Sequence, residues 1–293
     1  MKIIFILAFF LNPRIYAEDM AEKYSIEPYS KIAFKQIKEG SALLKSKNYD
    51  DLFWTLNDSD NPPDIFAIKA NGELIKPSWV KEYNGLRILD ALNIDWEAIT
   101  NDDEGNLIIG DIGNNYNYRK DLALYKVAEP NPYYANEAAI IAKYPIKYPD
   151  QKEFPPKEDE RNFDGEAMYY LNGYLYIISK NRGTPQAKVY RFKYSDLKPW
   201  SLNIPEIYEK FDFKSMVTDA ALSRDKKYLA VLTYNYLWLF EKPEGSDNFF
   251  KGKYWRKDIE LGQCEGIAFD NNDLIISNEK RDMFKIGLKD IMK

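Results

Sequence analysis

The chain repeats one pattern, a polar or acidic residue at the start of a short apolar run, and this repetition constrains the fold most. Residues 95–99 read Asp-Trp-Glu-Ala-Ile, and after a polar turn a second, more hydrophobic run follows at residues 107–111. The first runs of the other copies are residues 41–44 (the weakest), 164–168, 218–222 and 264–268. Their second runs are residues 53–58, 175–180, 229–234 and 274–279.

Further short strands complete each unit. No long stretch has the 3.6-residue period of a helix, and aromatic residues make up 15% of the chain, which suits pleated sheets. Third strands are predicted at residues 64–68, 122–127, 188–192, 237–240 and 283–286. Strands are also predicted ahead of four of the copies, at residues 32–37, 86–89, 211–213 and 255–259.

Repeated units of about 40–50 residues with four strands each are typical of a β-propeller. We therefore predict an all-β protein, a propeller of five four-stranded blades, with six blades as the alternative and a β-sandwich as the competing fold. The Pro- and charge-rich residues 144–160 are predicted to be a loop insertion on one face. The last unit is one strand short, so residues 32–37 are predicted to complete it and close the ring.

The N-terminus predicts export. Residues 1–17 have the pattern of a signal peptide, with Lys2, an apolar run at residues 3–11 and a cleavage site after Ala17. The run is too short to span a bilayer, although an uncleaved anchor is an alternative. We expect a single propeller domain over residues 18–293, periplasmic or extracellular, monomeric, and without stable membrane insertion once the signal is removed.

Composition excludes several functions. The chain has 41 Lys and Arg against 46 Asp and Glu, and it lacks a basic run, which argues against nucleic acid and anionic membranes as partners. It contains no histidine, which removes Ser-His-Asp and Cys-His nucleophiles and His-ligated zinc. Cys264 is its only cysteine, so no intrachain disulfide can form, and we interpret it as a core residue rather than a reactive thiol.

The chemistry is predicted at one mouth of the central channel, where the innermost strands begin. Aligning the copies places four carboxylates there, with Ser41 in the one uncharged position: Glu97, Glu166, Asp219 and Glu265. The second strands run back antiparallel and end on the same face. They add the candidate ligand-binding residues Asn57, Asp58, Asp111, Arg119, Lys180, Tyr234 and Asn278. A ligand is expected first on the side of Asn57 and Asp58.

Crowded carboxylates repel one another, and several arrangements would relieve that repulsion. Ca²⁺ could bind their oxygens, so the four are candidate metal ligands. Nearby basic residues could pair with them, or the acids could share protons as catalytic pairs do. Alternatively, each carboxylate could accept backbone N–H groups of the adjacent blade and lock the ring.

Several stretches together resemble a group of exported bacterial β-propeller proteins with no established reaction. These are residues 54–59, 95–99, 111–115 with Arg119, 164–167, 217–218, 233–234 and 264–268. The chain departs from the group at Asp60 and Asp219, where glycine is common. A looser similarity, at the level of fold, is to calcium-dependent lactonase and gluconolactonase propellers and to five-bladed glycosidases.

The leading hypothesis is an exported soluble propeller that binds a small molecule or cation at the acidic channel mouth. The first alternative is a calcium-assisted hydrolase of lactones or esters, with the metal polarising a carbonyl. The second is a glycosidase that uses two of the four carboxylates as acid and base. The third is a non-catalytic interaction scaffold. The sequence pattern is compatible with both binding and catalysis.

Overall fold

Four-stranded sheets follow one another along the chain. The computed structural model describes residues 26–293, so the predicted signal peptide, residues 1–17, lies outside the described residues. Almost all regular structure in the described part is strand, with three single-turn 3-10 helices and one short α-helix, α1 (Leu288–Ile291), near the C-terminus. Residues 26–293 contain no helix long and apolar enough to span a membrane.

The first blade consists of β2 (Gly40–Lys45), β3 (Phe53–Asn57), β4 (Asp64–Ile68) and β6 (Leu86–Leu89), with the two-residue β5 (Leu74–Ile75) beside β4. The second consists of β7 (Trp96–Asn101), β8 (Leu107–Asp111), β9 (Ala123–Val127) and β10 (Glu137–Pro145). The third consists of β11 (Asp164–Leu171), β12 (Tyr174–Lys180), β13 (Ala187–Lys193) and β14 (Glu206–Phe211). The fourth consists of β15 (Val217–Leu222), β16 (Tyr228–Thr233), β17 (Tyr236–Glu241) and β18 (Tyr254–Asp258). The fifth consists of β19 (Cys264–Asp270), β20 (Asp273–Asn278), β21 (Asp282–Gly287) and the N-terminal β1 (Ser30–Lys31).

The innermost strands form a closed ring. β2 lies beside β7, β7 beside β11, β11 beside β15, β15 beside β19, and β19 beside β2. This arrangement confirms the predicted five-bladed propeller and excludes six blades for the described part of the chain. The predicted third strands are also confirmed, and the prediction for β4 matches both of its ends.

The ring is closed by an N-terminal strand as predicted, but not by the predicted residues. Ser30 and Lys31 pair antiparallel with Met283 and Asp282 of β21. Residues 32–37 form no strand. Their apolar pattern has another cause: Ile32 and Ile37 are buried in the core between the first and fifth blades.

The predicted insertion at residues 144–160 begins two residues too early. Its first two residues end β10, which no sequence pattern predicted. β10 pairs antiparallel with β9 and parallel with β6, so the outer edges of the first two blades join into one sheet. Its solvent-facing side leaves only a weak alternation in the sequence, which explains why the strand was missed.

The core lies between neighbouring blades, where aromatic rings fill the wedge. Between the third and fourth blades, Phe211, Phe213, Trp238, Phe240 and Phe250 contact one another mainly edge to face, with ring centroids 4.8–6.1 Å apart. Such pairs stabilise beyond the area they bury. The Trp238 Nε1–H also donates to the Phe213 carbonyl. This hydrogen bond holds Phe213 in place, although Phe213 lies beyond the end of β14 at Phe211.

Candidate functional site

Each innermost strand carries a β-bulge near its start, and the bulges place the glutamates. The antiparallel register shifts between Trp96 and Ala98, so Glu97 is the extra residue in β7. Glu166 and Glu265 occupy the corresponding positions in β11 and β19. A bulge leaves its extra residue out of the ladder and redirects its side chain. Glu97 and Glu265 accordingly line one cavity at the channel mouth, and Glu166 lies buried beside it.

In the fourth blade the sequence alignment is wrong by one residue. The bulge in β15 falls between Val217 and Asp219, so Thr218 is the residue equivalent to the three glutamates. The Asp219 carboxylate accepts backbone N–H bonds from Leu43 at 3.1 Å, Ile267 at 2.8 Å and Ala220 at 2.8 Å. Asp219 therefore connects three innermost strands and lies outside the set of residues that line the cavity.

The cavity at the mouth has a volume of about 160 Å³. It is lined by Glu39, Ser41, Asp58, Glu97, Asn115, Lys180, Arg182, Tyr234, Gln263, Glu265 and Glu279. Five of these side chains are acidic and two are basic, so acidic groups outnumber basic groups around the cavity. Oxygen donors dominate this set, which suits hard cations.

Lys180 is the central cation of the site. Its Nζ lies 2.9 Å from Glu166 Oε2 and 5.2 Å from the centre of the Tyr234 ring. Burial lowers the pKa of Lys180, but the nearby Glu166 and Glu265 more than offset that effect and raise it. Burial raises the pKa of the Glu166 carboxyl, and the ion pair with Lys180 opposes the rise.

The charge of Glu97 is compensated less by its neighbours than the charge of Glu166. Ser41 Oγ lies 3.1 Å from Glu97 Oε2 and can donate to it. Burial, followed by the charges of Glu166 and Asp95, raises the pKa of Glu97 well above its usual range. Gly113 leaves the space these acids need, because a Cβ there would lie 2.4 Å from Asp95 Cγ and 2.8 Å from Glu97 Cγ. The glycine of the Asp-Ile-Gly-Asn-Asn stretch is thus needed for close approach.

Three more acids at this mouth have raised pKa values. Burial raises the pKa of Glu265 to about 7, although Lys180 opposes the rise. Burial and then Glu39 raise the pKa of Asp58 to about 8. Burial and then Asp164 raise the pKa of Asp95 to about 6. Adding positive charge to the cavity would favour the ionised form of all three.

Four predicted ligand-binding residues support the loops instead of lining the cavity. Asn57 accepts from the Lys38 N–H and donates to the Gln36 carbonyl. Asn278 accepts from the Asp282 N–H and donates to the Leu261 carbonyl.

Asp111 and Arg119 form the other structural pair, with Arg119 Nη2 at 3.0 Å from Asp111 Oδ1. Asp111 also accepts from the Asp95 N–H. The predicted ligand-binding residues that do line the cavity are Asp58, Lys180 and Tyr234.

The sequence interpretation missed Glu39 and Gln263, and it included Arg182 only among the nearby basic residues that could pair with the acids. Glu39 directly precedes β2, as Asp95 directly precedes β7, and this shared position is the signal that could have revealed it. Arg182 Nε donates to Asp164 Oδ2 at 2.6 Å, and its Nη2 lies 4.0 Å from Glu166 Oε1. Arg182 thus forms ion pairs with both acids near the start of β11, Asp164 and Glu166.

Two predictions about metals and thiols bear on this site. Within residues 26–293, no group of three or more Cys, Asp and Glu side chains is arranged to hold a metal ion; calcium binding stays a prediction. Cys264 is buried, its Sγ contacts the Leu261 carbonyl at 3.5 Å, and burial raises the pKa of its thiol to about 12. A thiol with so high a pKa is a poor nucleophile near neutral pH.

Fold and site together define a five-bladed β-propeller with a buried, acid-rich cavity at one end of its central channel. No protein-family model matches the chain, and no curated protein matches it. Among solved structures it is similar to a chain of the mitotic checkpoint complex, with 12% identity and a TM-score of 0.40 over 84% of this chain and 63% of that one. It is also similar to Sqt1 of Saccharomyces cerevisiae, with 11% identity and a TM-score of 0.37 over 85% of this chain and 59% of that one. In both cases it covers less than two thirds of the other chain.

Proposed function

We propose that the protein is a binding module whose acidic channel mouth takes up a small cation. The observation that carries this proposal is the excess of acids over bases around a buried cavity, with several of those acids held at raised pKa values. Bringing a positive charge among them would relieve their mutual repulsion. Ca²⁺ and the ammonium group of a small amine share this chemistry.

The internal cations leave part of the acidic set available. Lys180 pairs with Glu166, and Arg182 pairs with Asp164. Glu97 is contacted by the hydroxyl of Ser41, which brings no charge. Glu97, Asp58 and Glu265 are therefore the acids that we expect to face a bound cation.

Isothermal titration calorimetry on chelator-treated protein tests this proposal, with calcium chloride and putrescine as separate probes at pH 8. We expect at least one probe to bind and Glu265→Gln to weaken binding by about ten-fold, the effect of losing about 1.4 kcal/mol of interaction. Glu244→Gln is the matched control, because this substitution removes the same charge. Glu244 is exposed and follows the C-terminal end of β17, outside the cavity.

Binding is also expected to weaken between pH 8 and pH 5.5. Asp58, Glu265 and Asp95 take up protons over this range and so present less negative charge. Absence of heat and of any shift in melting temperature with either probe at pH 8 would contradict the proposal. That result would favour the non-catalytic scaffold, with which the propeller fold also agrees.

The two enzyme hypotheses use the same cavity and stay predictions. A panel of lactones, esters and glycosides separates them from simple binding. An activity that is abolished by Glu97→Gln or Glu166→Gln in a folded variant would support catalysis. We further propose export on the basis of residues 1–17, which a comparison of secreted, periplasmic and cytoplasmic fractions tests.

A further inference from the structure

A second, larger cavity lies at the opposite end of the central channel. It has a volume of about 430 Å³, within the range of sites for small organic molecules. The distal residues of all five innermost strands contribute to it, including Lys45, Asn101, Tyr170, Leu222 and Asp270. These residues follow the bulged starts of the same strands, so the two cavities occupy opposite ends of one ring.

The walls of this second cavity are largely apolar. They include Leu43, Leu44, Ile99, Met168, Ala220 and Phe269. Apolar surface that is open to a cavity favours a ligand with an apolar body, because binding removes both surfaces from water. The first cavity differs, because five of its eleven lining residues are acidic.

The rim of the second cavity is basic. It carries Lys45, Lys47, Arg224 and Lys226 against the acidic Asp50 and Asp270. Two of the cations have carboxylate partners: Lys45 lies 3.3 Å from Asp270, and Lys226 lies 3.2 Å from Asp103. Lys47 Nζ donates to the Asp102 carbonyl at 2.6 Å.

Arg224 differs from the other rim cations. Its side chain is exposed, and within residues 26–293 its guanidinium makes no ion pair. It lies between Ser223 and Asp225 in the turn between β15 and β16, where Ser223 is held by a hydrogen bond to Asp225. A fixed turn thus presents a free guanidinium at the edge of an apolar cavity.

We infer that the cavity at this end of the channel binds an amphipathic anion, with its apolar body between the inner strands and its carboxylate or sulfonate at Arg224 and Lys47. The cavity does not share residues with the acidic mouth, so this inference stands apart from the proposed cation binding. The charges also set the orientation, because the acidic end would repel the head group.

Decanoate, decanol and decylamine are suitable probes, since they share one chain and differ in head group. Titration calorimetry below the micellar concentrations is expected to show decanoate binding, with decanol weaker by roughly three- to ten-fold and decylamine weaker still. Decanoate binding is also expected to weaken as salt is raised, because the rim charges are exposed to solvent.

Two variants locate the binding. Arg224→Gln is expected to weaken decanoate roughly two- to five-fold, while Lys227→Gln, an equal charge change on the same turn but outside the cavity, leaves it unchanged. Ala221→Trp fills the cavity and is expected to weaken decanoate by at least about ten-fold. Circular dichroism and melting temperature confirm folding, and Arg224→Gln keeps the test decisive if the tryptophan variant does not fold.

No binding of decanoate, equal affinity for the three probes, or equal effects of Arg224→Gln and Lys227→Gln would each overturn the inference.

Discussion

Asp219 is a buried structural carboxylate that ties three blades together. Its side chain is 2% exposed and accepts three backbone N–H bonds, from Leu43 in the first blade, Ala220 in its own blade and Ile267 in the fifth. The hypothesis that ring acids lock neighbouring blades describes this residue. It does not describe Glu97 or Glu265, which line a cavity.

Asp219→Ala is expected to lower the free energy of unfolding by about 2–5 kcal/mol, because it leaves buried N–H groups without an acceptor. Urea denaturation measures this loss. Asp159→Ala is the control, since Asp159 is exposed, and it should change stability by less than about 0.5 kcal/mol. A loss for Asp219→Ala as small as that of the control would show that these bonds do not hold the ring.

At the scale of elements, the two-residue strand β1 completes the fifth blade. Beyond its pairing with β21, the Tyr29 N–H donates to the Met283 carbonyl and the Ile32 N–H donates to the Arg281 carbonyl. The Ile32 side chain is 3% exposed and packs in the core between the first and fifth blades. A short strand can close the ring because the adjacent side chain is buried.

Ile32→Ala is expected to destabilise the protein by about 2–4 kcal/mol, since it leaves a cavity at the closure of the ring. The matched control is Ile141→Ala in β10, where the side chain is 54% exposed and the loss should stay below about 0.5 kcal/mol. Both are measured by chemical denaturation. Similar losses for the two variants would mean that the N-terminal segment contributes little to closure.

At the scale of the whole molecule, the acidic mouth couples stability to pH. Asp95, Glu265 and Asp58 have pKa values of about 6, 7 and 8 in the folded protein, all above those of free carboxyl groups. Between about pH 4 and pH 8 the folded state therefore binds more protons than the unfolded state, so stability falls as pH rises. The chain has no histidine, and the described acids with lowered pKa values titrate below this window.

We expect the free energy of unfolding to decrease by an amount on the order of 2–4 kcal/mol from pH 5 to pH 8. Urea denaturation at intervals of pH measures the trend. A cation that binds at the mouth should restore part of the loss at pH 8 and little of it at pH 5. Stability that rises over this range would contradict the raised pKa values.

Local sequence patterns predicted much of the architecture. Alternation and β-branched runs predicted β4 with both of its ends, and the recurrence of the unit predicted five blades and placed Glu97, Glu166 and Glu265 at equivalent positions. These features depend on residues close in the chain, whose apolar period is set by strand geometry.

Contacts between distant segments account for what the pattern missed. The bulge that makes Thr218, and not Asp219, equivalent to Glu97 depends on pairing across strands. The choice of Ser30 and Lys31 for closure, the joining of β10 to β6 and the support roles of Asn57 and Asn278 depend on neighbours far away in the chain. The apolar cavity at the far end of the channel likewise arises only when five strands converge, so no single stretch of sequence encodes it.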